Sequence, residues 1–186
     1  MNFSECYDFQ KLGLSTRAVT ENINKVIDFN YYPLDKRNEK GEVIEMGKIS
    51  RPNFQNRPIG IGVSGLAEVF ALLNIFYDSD EAKKLNKIIF ACMYYNSLKM
   101  SCSLAETHGE YSTFRTGKSR FFLNGEWKEL DGSPLANGFF QFDLWSQEAD
   151  YYESIGRLNT KIYDKNDNVP IDPEEWGECL EGWDKL

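Results

Sequence analysis

The sequence predicts a predominantly helical α/β fold. Three observations carry that expectation: two long stretches, 9–29 and 78–107, space apolar side chains at helical intervals; short runs flank Asn124-Gly125; and the composition is 41% hydrophobic and 15% aromatic. Residues at i, i+3, i+4 and i+7 share one helix face, so the stretches read as amphipathic helices. Asn-Gly accepts the positive backbone angles of a tight two-residue turn, so the flanked pair reads as a β-hairpin. The composition is that of a chain with a core to bury.

The elements follow in order. Over 9–29 the apolar face is Phe9, Leu12, Val19, Ile23, Val26 and Ile27, with Gly13 an unfavourable helix residue near the start. The helix stops at Asn30-Tyr31-Tyr32-Pro33, and 34–56 is charged, glycine-bearing and aperiodic, a surface excursion with a small hairpin around Gly41. A second helix is expected over 64–73, where Val63, Leu66, Ala67, Phe70, Ala71 and Leu73 are apolar on nearly all sides, which implies burial. Asp78 or Ser79 caps a third, long helix that reaches about residue 107 and stops at Gly109. Its stripe is Ala82, Leu85, Ile88, Ile89, Cys92, Tyr95, Leu98, Cys102 and Ala105, with both cysteines read as small buried hydrophobes. The Asn-Gly hairpin covers 121–130, a mixed apolar segment 135–145, a helix 148–156, a turn-rich loop 164–173, and the approach to a further helix 174–186.

Charge excludes some functions. The net charge is −8, and from Glu148 onward eleven acids face four bases, so the first 147 residues are nearly neutral. Nothing resembles a basic stripe able to neutralise phosphates, which argues against direct DNA binding. No run has the length of a membrane-spanning helix, and no apolar secretory segment follows Met1, so the expected setting is reducing and cytoplasmic. Cys6, Cys92, Cys102 and Cys179 show no metal-ligand spacing, and His108 is the single histidine, so no metal site is expected.

One phrase invites two readings. Gly60, Gly62 and Gly65 match G-x-G-x-x-G, the pattern that lets backbone amides approach a dinucleotide pyrophosphate. That reading requires a buried strand running into Gly60, yet the preceding residues are polar and broken by Pro52 and Pro58. It also requires an acid at a strand tip about 20 residues on, whereas Asp78 and Asp80 fall between helical patterns. No cofactor is therefore assigned to the glycines, which are read as serving close packing, turns and helix entry.

The whole phrases point elsewhere. Asn24-Lys25-Val26-Ile27-Asp28-Phe29-Asn30-Tyr31-Tyr32-Pro33 is followed by Arg57-Pro58-Ile59-Gly60-Ile61-Gly62-Val63-Ser64-Gly65-Leu66-Ala67, then Leu85-Asn86-Lys87, Tyr94-Tyr95 and Ser101-Cys102-Ser103-Leu104-Ala105. His108-Gly109-Glu110-Tyr111, Gly132-Ser133-Pro134 and Gly138-Phe139-Phe140-Gln141-Phe142-Asp143-Leu144-Trp145 come next. In this order they resemble the large (alpha) subunit of class I ribonucleotide reductase, of the eukaryotic and large-virus type. The resemblance runs from about Tyr7 to Trp145 and more faintly over Trp183-Asp184-Lys185-Leu186. Three stretches depart from it: 36–55 and 117–131, which read as loop insertions, and 158–181.

The resemblance implies a fragment of a ten-stranded α/β barrel rather than a complete barrel. Residues 1–147 would be an internal portion of the catalytic domain, and 148–186 an acidic, divergent continuation of it. It also implies radical-based reduction of ribonucleoside diphosphates by a dithiol, for DNA precursor synthesis. The family's radical cysteine, redox cysteines, catalytic carboxylate, relay tyrosines and substrate-phosphate loop would all lie outside this chain. No catalytic, cofactor-binding or metal-binding residue is therefore assigned here; Arg57, Pro58, Gly60, Gly62 and Gly65 are structural or pocket-wall candidates. The Tyr31-Tyr32 and Tyr94-Tyr95 pairs are read as aromatic packing, since neither phrase resembles the relay.

The implied cofactors of the whole enzyme are a radical-generating, metal-containing small subunit and ATP or deoxynucleotide effectors. The implied partners are the rest of the large subunit, that small subunit, a second large subunit, and thioredoxin or glutaredoxin as reductant. The chain alone would be inactive. The rival reading is an inactive scaffold or interaction module derived from the enzyme, or one piece of a split subunit.

Overall fold

A computed structural model of the chain describes residues 3–140 and Leu144; the elements expected over 148–186 lie outside the described residues. A 3₁₀ turn at Phe3–Glu5 leads into helix α1, Phe9–Phe29. Asp8 starts it by accepting a hydrogen bond from the Lys11 amide at 2.8 Å, satisfying one donor that the first turn leaves free. Asn30 ends it, as the sequence predicts.

Helix α1 packs along α4, Asp80–His108. The α4 ends match the sequence reading: the Ser79 hydroxyl accepts from the Ala82 amide at 3.1 Å, and Gly109 closes the last turn with its amide on the Ala105 carbonyl. From the predicted stripe Ala82, Leu85, Ile88, Ile89, Cys92 and Tyr95 are buried. Cys102 is not: it is exposed, correcting the expectation of two buried cysteines.

The contact face of α1 also differs from the expected one. Val19 and Val26 are exposed, and the buried residues are Phe9, Gly13, Thr16, Thr20 and Ile27. The reason is close approach: a Cβ on Gly13 would stand 2.7 Å from Asn96 Nδ2 on α4. Small residues admit the neighbouring helix where larger ones could not. Their hydroxyls stay satisfied, with Thr16 Oγ1 donating to the Leu12 carbonyl and Thr20 Oγ1 to the Thr16 carbonyl, both at 2.8 Å.

The excursion after α1 holds more structure than expected. Strands β1 (Lys36–Arg37) and β2 (Val43–Glu45) pair antiparallel around Gly41, matching the predicted small hairpin. Helix α2, Ser50–Asn56, was not predicted. Pro52 falls in its first turn, where the missing amide costs no helical hydrogen bond. Asp35 anchors the helix entry from across the loop, accepting from the Gly47 amide at 2.7 Å and from the buried Ser50 hydroxyl.

Helix α3, Leu66–Leu72, is shorter than expected and largely unburied. Phe70 enters the core beside Phe9, Leu85, Ile88 and Ile89, but Leu72 is 81% exposed, which corrects the expectation of all-round burial. Beyond α4 the predicted hairpin is present as β3, Lys118–Leu123, and β4, Glu126–Asp131, with Asn124 (φ 52°) and Gly125 (φ 87°) at the turn. Its base is closed by Gly132 N on Gly117 O and Ser133 N on Phe114 O. Phe121 and Leu123 form a separate small core with Leu130, Phe139 and Leu144. Among the described residues the sheets are two two-stranded hairpins, and no barrel closes.

Candidate functional site

A half-open groove of about 1010 Å³ lies where the C-terminal ends of α1 and α4 face the loop after α2. Its walls combine apolar Phe54, Ile59 and Leu98 with polar Asn24, Asp28 and Arg57. Arg57 is the organising side chain. It ends α2 in the left-handed region, φ 46°, which turns its guanidinium back onto α1.

There the fork is fully used on one side. Arg57 Nε donates to Asn24 Oδ1 at 2.7 Å and NH2 to the Asn24 carbonyl at 2.8 Å, while NH1 and NH2 donate to the two Asp28 carboxylate oxygens at 2.9 and 2.8 Å. Bidentate pairing of this kind fixes direction as well as distance, which a lysine could not reproduce. The Arg57 hydrogen bonds hold the Asp28 carboxyl below the ordinary carboxylate range, with a smaller contribution from His108, and Asp28 in turn raises the Arg57 guanidinium. Asn24 and Asp28 are one helical turn apart, so α1 presents both to the same fork.

Pro58, Gly60, Gly62 and Gly65 follow Arg57 along the loop from α2 to α3. Gly65, φ 82°, occupies the position before α3, a backbone angle that strains any residue with a Cβ. Gly60 and Gly62 differ: neither has positive φ, and a Cβ at either would meet nothing within 4 Å among the described residues. The close packing expected for them is absent from this part of the molecule. The dinucleotide geometry is absent too, since α2 rather than a strand precedes Arg57 and α3 is only seven residues long.

The remaining candidates are dispersed. Tyr32 is buried, with its hydroxyl donating to the Ile27 carbonyl at 2.9 Å and its ring 5.7 Å from Phe54; Tyr31 is exposed with the Arg37 guanidinium over its ring. Tyr95 is buried in α4. Cys6, Cys92 and Cys102 are free thiols. No group of three or more His, Cys, Asp or Glu stands close enough to hold a metal ion among the described residues, so no metal-dependent step is built on them. No described helix is long and apolar enough to cross a membrane. Asn24 and Asp28 are the groove residues that sequence reasoning left without a role; their signal was two polar residues four apart at the end of an amphipathic helix.

A helical part-barrel whose two main helices end at a polar groove defines a scaffold segment of a larger α/β enzyme domain. Comparison with known proteins names that domain: the family model of the ribonucleotide reductase barrel domain matches residues 1–186, and the chain belongs to this family. It is 42% identical over 140 residues to the ribonucleoside-diphosphate reductase large subunit of Arabidopsis thaliana, covering 75% of this chain and 14% of that protein. It is 40% identical over 157 residues to the large subunit of Plasmodium falciparum, covering 84% of this chain and 16% of that protein. The large subunit of Caenorhabditis elegans is 40% identical over 139 residues, again 75% of this chain and 14% of that protein. The chain thus spans about a seventh of the length of these relatives.

Proposed function

We propose that the chain acts as a wall and scaffold segment of a ribonucleoside-diphosphate reductase large subunit. The reaction replaces the ribose 2′-hydroxyl of a ribonucleoside diphosphate by hydrogen; the hydroxyl leaves as water and a dithiol is oxidised to a disulfide. The observation that carries this reading is the family match over the whole chain, together with identities near 40% to reductase large subunits. Enclosure suits the chemistry, because a radical hydrogen abstraction and thiol delivery must be held in register and away from side reactions.

Within that reaction the chain's own residues position rather than react. Arg57 ties the loop 57–65 to α1 through Asn24 and Asp28, and α4 backs both through the core. The reactive thiols, the carboxylate and the radical relay come from other parts of the subunit, and the radical from a separate metal-containing small subunit. The working assembly further includes a second large subunit, ATP or deoxynucleotide effectors and thioredoxin or glutaredoxin, in the cytoplasm.

The test is reconstitution. The chain is combined with the remaining large-subunit polypeptide, the small subunit and a dithiol, and conversion of CDP to dCDP is measured. Activity that requires the chain is expected. Equal activity without it, or an assembled complex with none, would sink the catalytic reading and leave an interaction module.

A further inference from the structure

The loop from α2 to α3 has the marks of a strand without a neighbour. Exposure alternates residue by residue: Arg57, Ile59 and Ile61 are half-buried while Pro58, Gly60 and Gly62 are exposed. A period of two is the signature of extended backbone, whose successive side chains point to opposite faces. On the inner face Ile61 packs against the core cluster of Phe9, Phe70 and Leu85, and Ile59 lines the groove. The outer face is bare backbone, because Gly60 and Gly62 carry no side chain and meet nothing within 4 Å.

The hydrogen bonding is equally one-sided. The Arg57 amide closes α2 on Asn53 and the Gly65 carbonyl opens α3 on Val69, but nothing between them, from Pro58 to Ser64, makes a hydrogen bond to another described residue. Five successive non-proline amides and carbonyls at 59–63 are therefore left for a partner outside this part of the molecule. Backbone groups anchored by two core-facing isoleucines have two stable fates: water, or a ladder. The family is a barrel domain, and barrels close only through strand pairing. The described hairpins β1–β2 and β3–β4 pair only with themselves and provide no barrel strand.

We infer that Ile59, Gly60, Ile61, Gly62 and Val63 form a strand of the barrel, paired with a strand supplied by the remainder of the large subunit. The occupant follows from length: about six-sevenths of each relative lies outside the matched region, and a barrel needs neighbours for every strand. Glycine at 60 and 62 then has a physical purpose that the local structure does not give it, namely a smooth face against which side chains of the other layer can close. Pro58 fits as well, since the start of a strand is one of the few ladder positions that tolerates a missing donor. The inference rests on the chain being part of that subunit and not on its activity.

Amide hydrogen exchange on the full-length large subunit, without nucleotide, tests it. The amides of 59–63 are expected to exchange about a thousandfold or more slower than those of the exposed Gly41 turn, as for an internal strand. Exchange within about tenfold of that turn would overturn the strand. Protection that appears only on adding CDP would overturn it in favour of a ligand on the bare backbone, and protection lost on dilution would overturn it in favour of a second copy. Reductase activity is read on the same preparation: protection without activity sinks the functional reading and leaves the strand standing.

Discussion

Arg57 shows how much one side chain can organise when its backbone is turned the right way. Four hydrogen bonds to Asn24 and Asp28 join residues that lie about thirty positions apart in sequence. Arg57→Ala is expected to cost roughly 1–3 kcal/mol of local stability, the range for hydrogen bonds to charged groups discounted for the partly exposed Asp28. Arg57→Lys should recover less than half of that, because an ammonium cannot serve both partners. The pH dependence has a definite sign. Asp28 is depressed in the folded state, so its contribution is complete above the ordinary carboxylate value of 3.8 and is lost as pH falls through the lower folded value. Between pH 5 and 8 the pair should add no slope, and Asp28→Asn should remove an acid-side loss of α1 protection measured by hydrogen exchange. Acid sensitivity unchanged in Asp28→Asn would contradict this account.

At the scale of elements, the β3–β4 hairpin is an appendage with its own footing. Gly117 and Gly132 are hydrogen-bonded at its base, and its apolar residues pack among themselves and with Phe139 and Leu144 rather than with the α1–α4 core. Deleting 118–131 and joining Gly117 to Gly132 should leave amide protection along α4 within about threefold of the parent subunit, since sites without shared contacts couple weakly. A collapse of α4 protection would show that the hairpin braces the core. This element was legible in the sequence because Asn124-Gly125 announces its own turn. The ends of α1 and α4 were legible for the same local reason: Ser79, Gly109 and Asn30 act within a turn of where they stand. Helix α2 was hidden because Pro52 reads as a breaker until its first-turn position is known. The face of α1 was hidden because Gly13, Thr16 and Thr20 become contact residues only once Asn96 is opposite them. Arg57 was singled out from its phrase, but its partners on α1 depend on a long-range return of the chain that no local pattern encodes.

The whole molecule carries more apolar surface than a stand-alone domain would keep. Phe29 is 87% exposed, Phe76 and Leu72 are each 81% exposed, and Val26 is 56% exposed. Exposed apolar patches of this kind mark surfaces that other polypeptide covers. The isolated 186-residue chain is therefore expected to self-associate, with light scattering rising as concentration rises, and to become monodisperse only with the remaining subunit. A monomeric species with one sharp thermal transition would count against that expectation. The failure of α3 to bury as its composition predicts has the same origin, because all-round apolarity reports on the finished protein and not on the share of it described here.

The pairing of α1 with α4 also sets a clock. Roughly fifty residues separate the end of α1 from the start of α4, and α4 is itself 29 residues long. At about 5–20 residues per second of synthesis, α1 leaves the ribosome several seconds before the surface it fits. During that wait its threonines bond to their own helix and its apolar residues lie on more than one side, so it offers a weaker sticky stripe than its composition suggests. When α4 arrives, the Gly13 notch accepts Asn96 in one register, and a slide by one turn would leave that buried amide against a side chain instead of a gap. The polar character of this joint thus protects the nascent chain before it specifies the folded one.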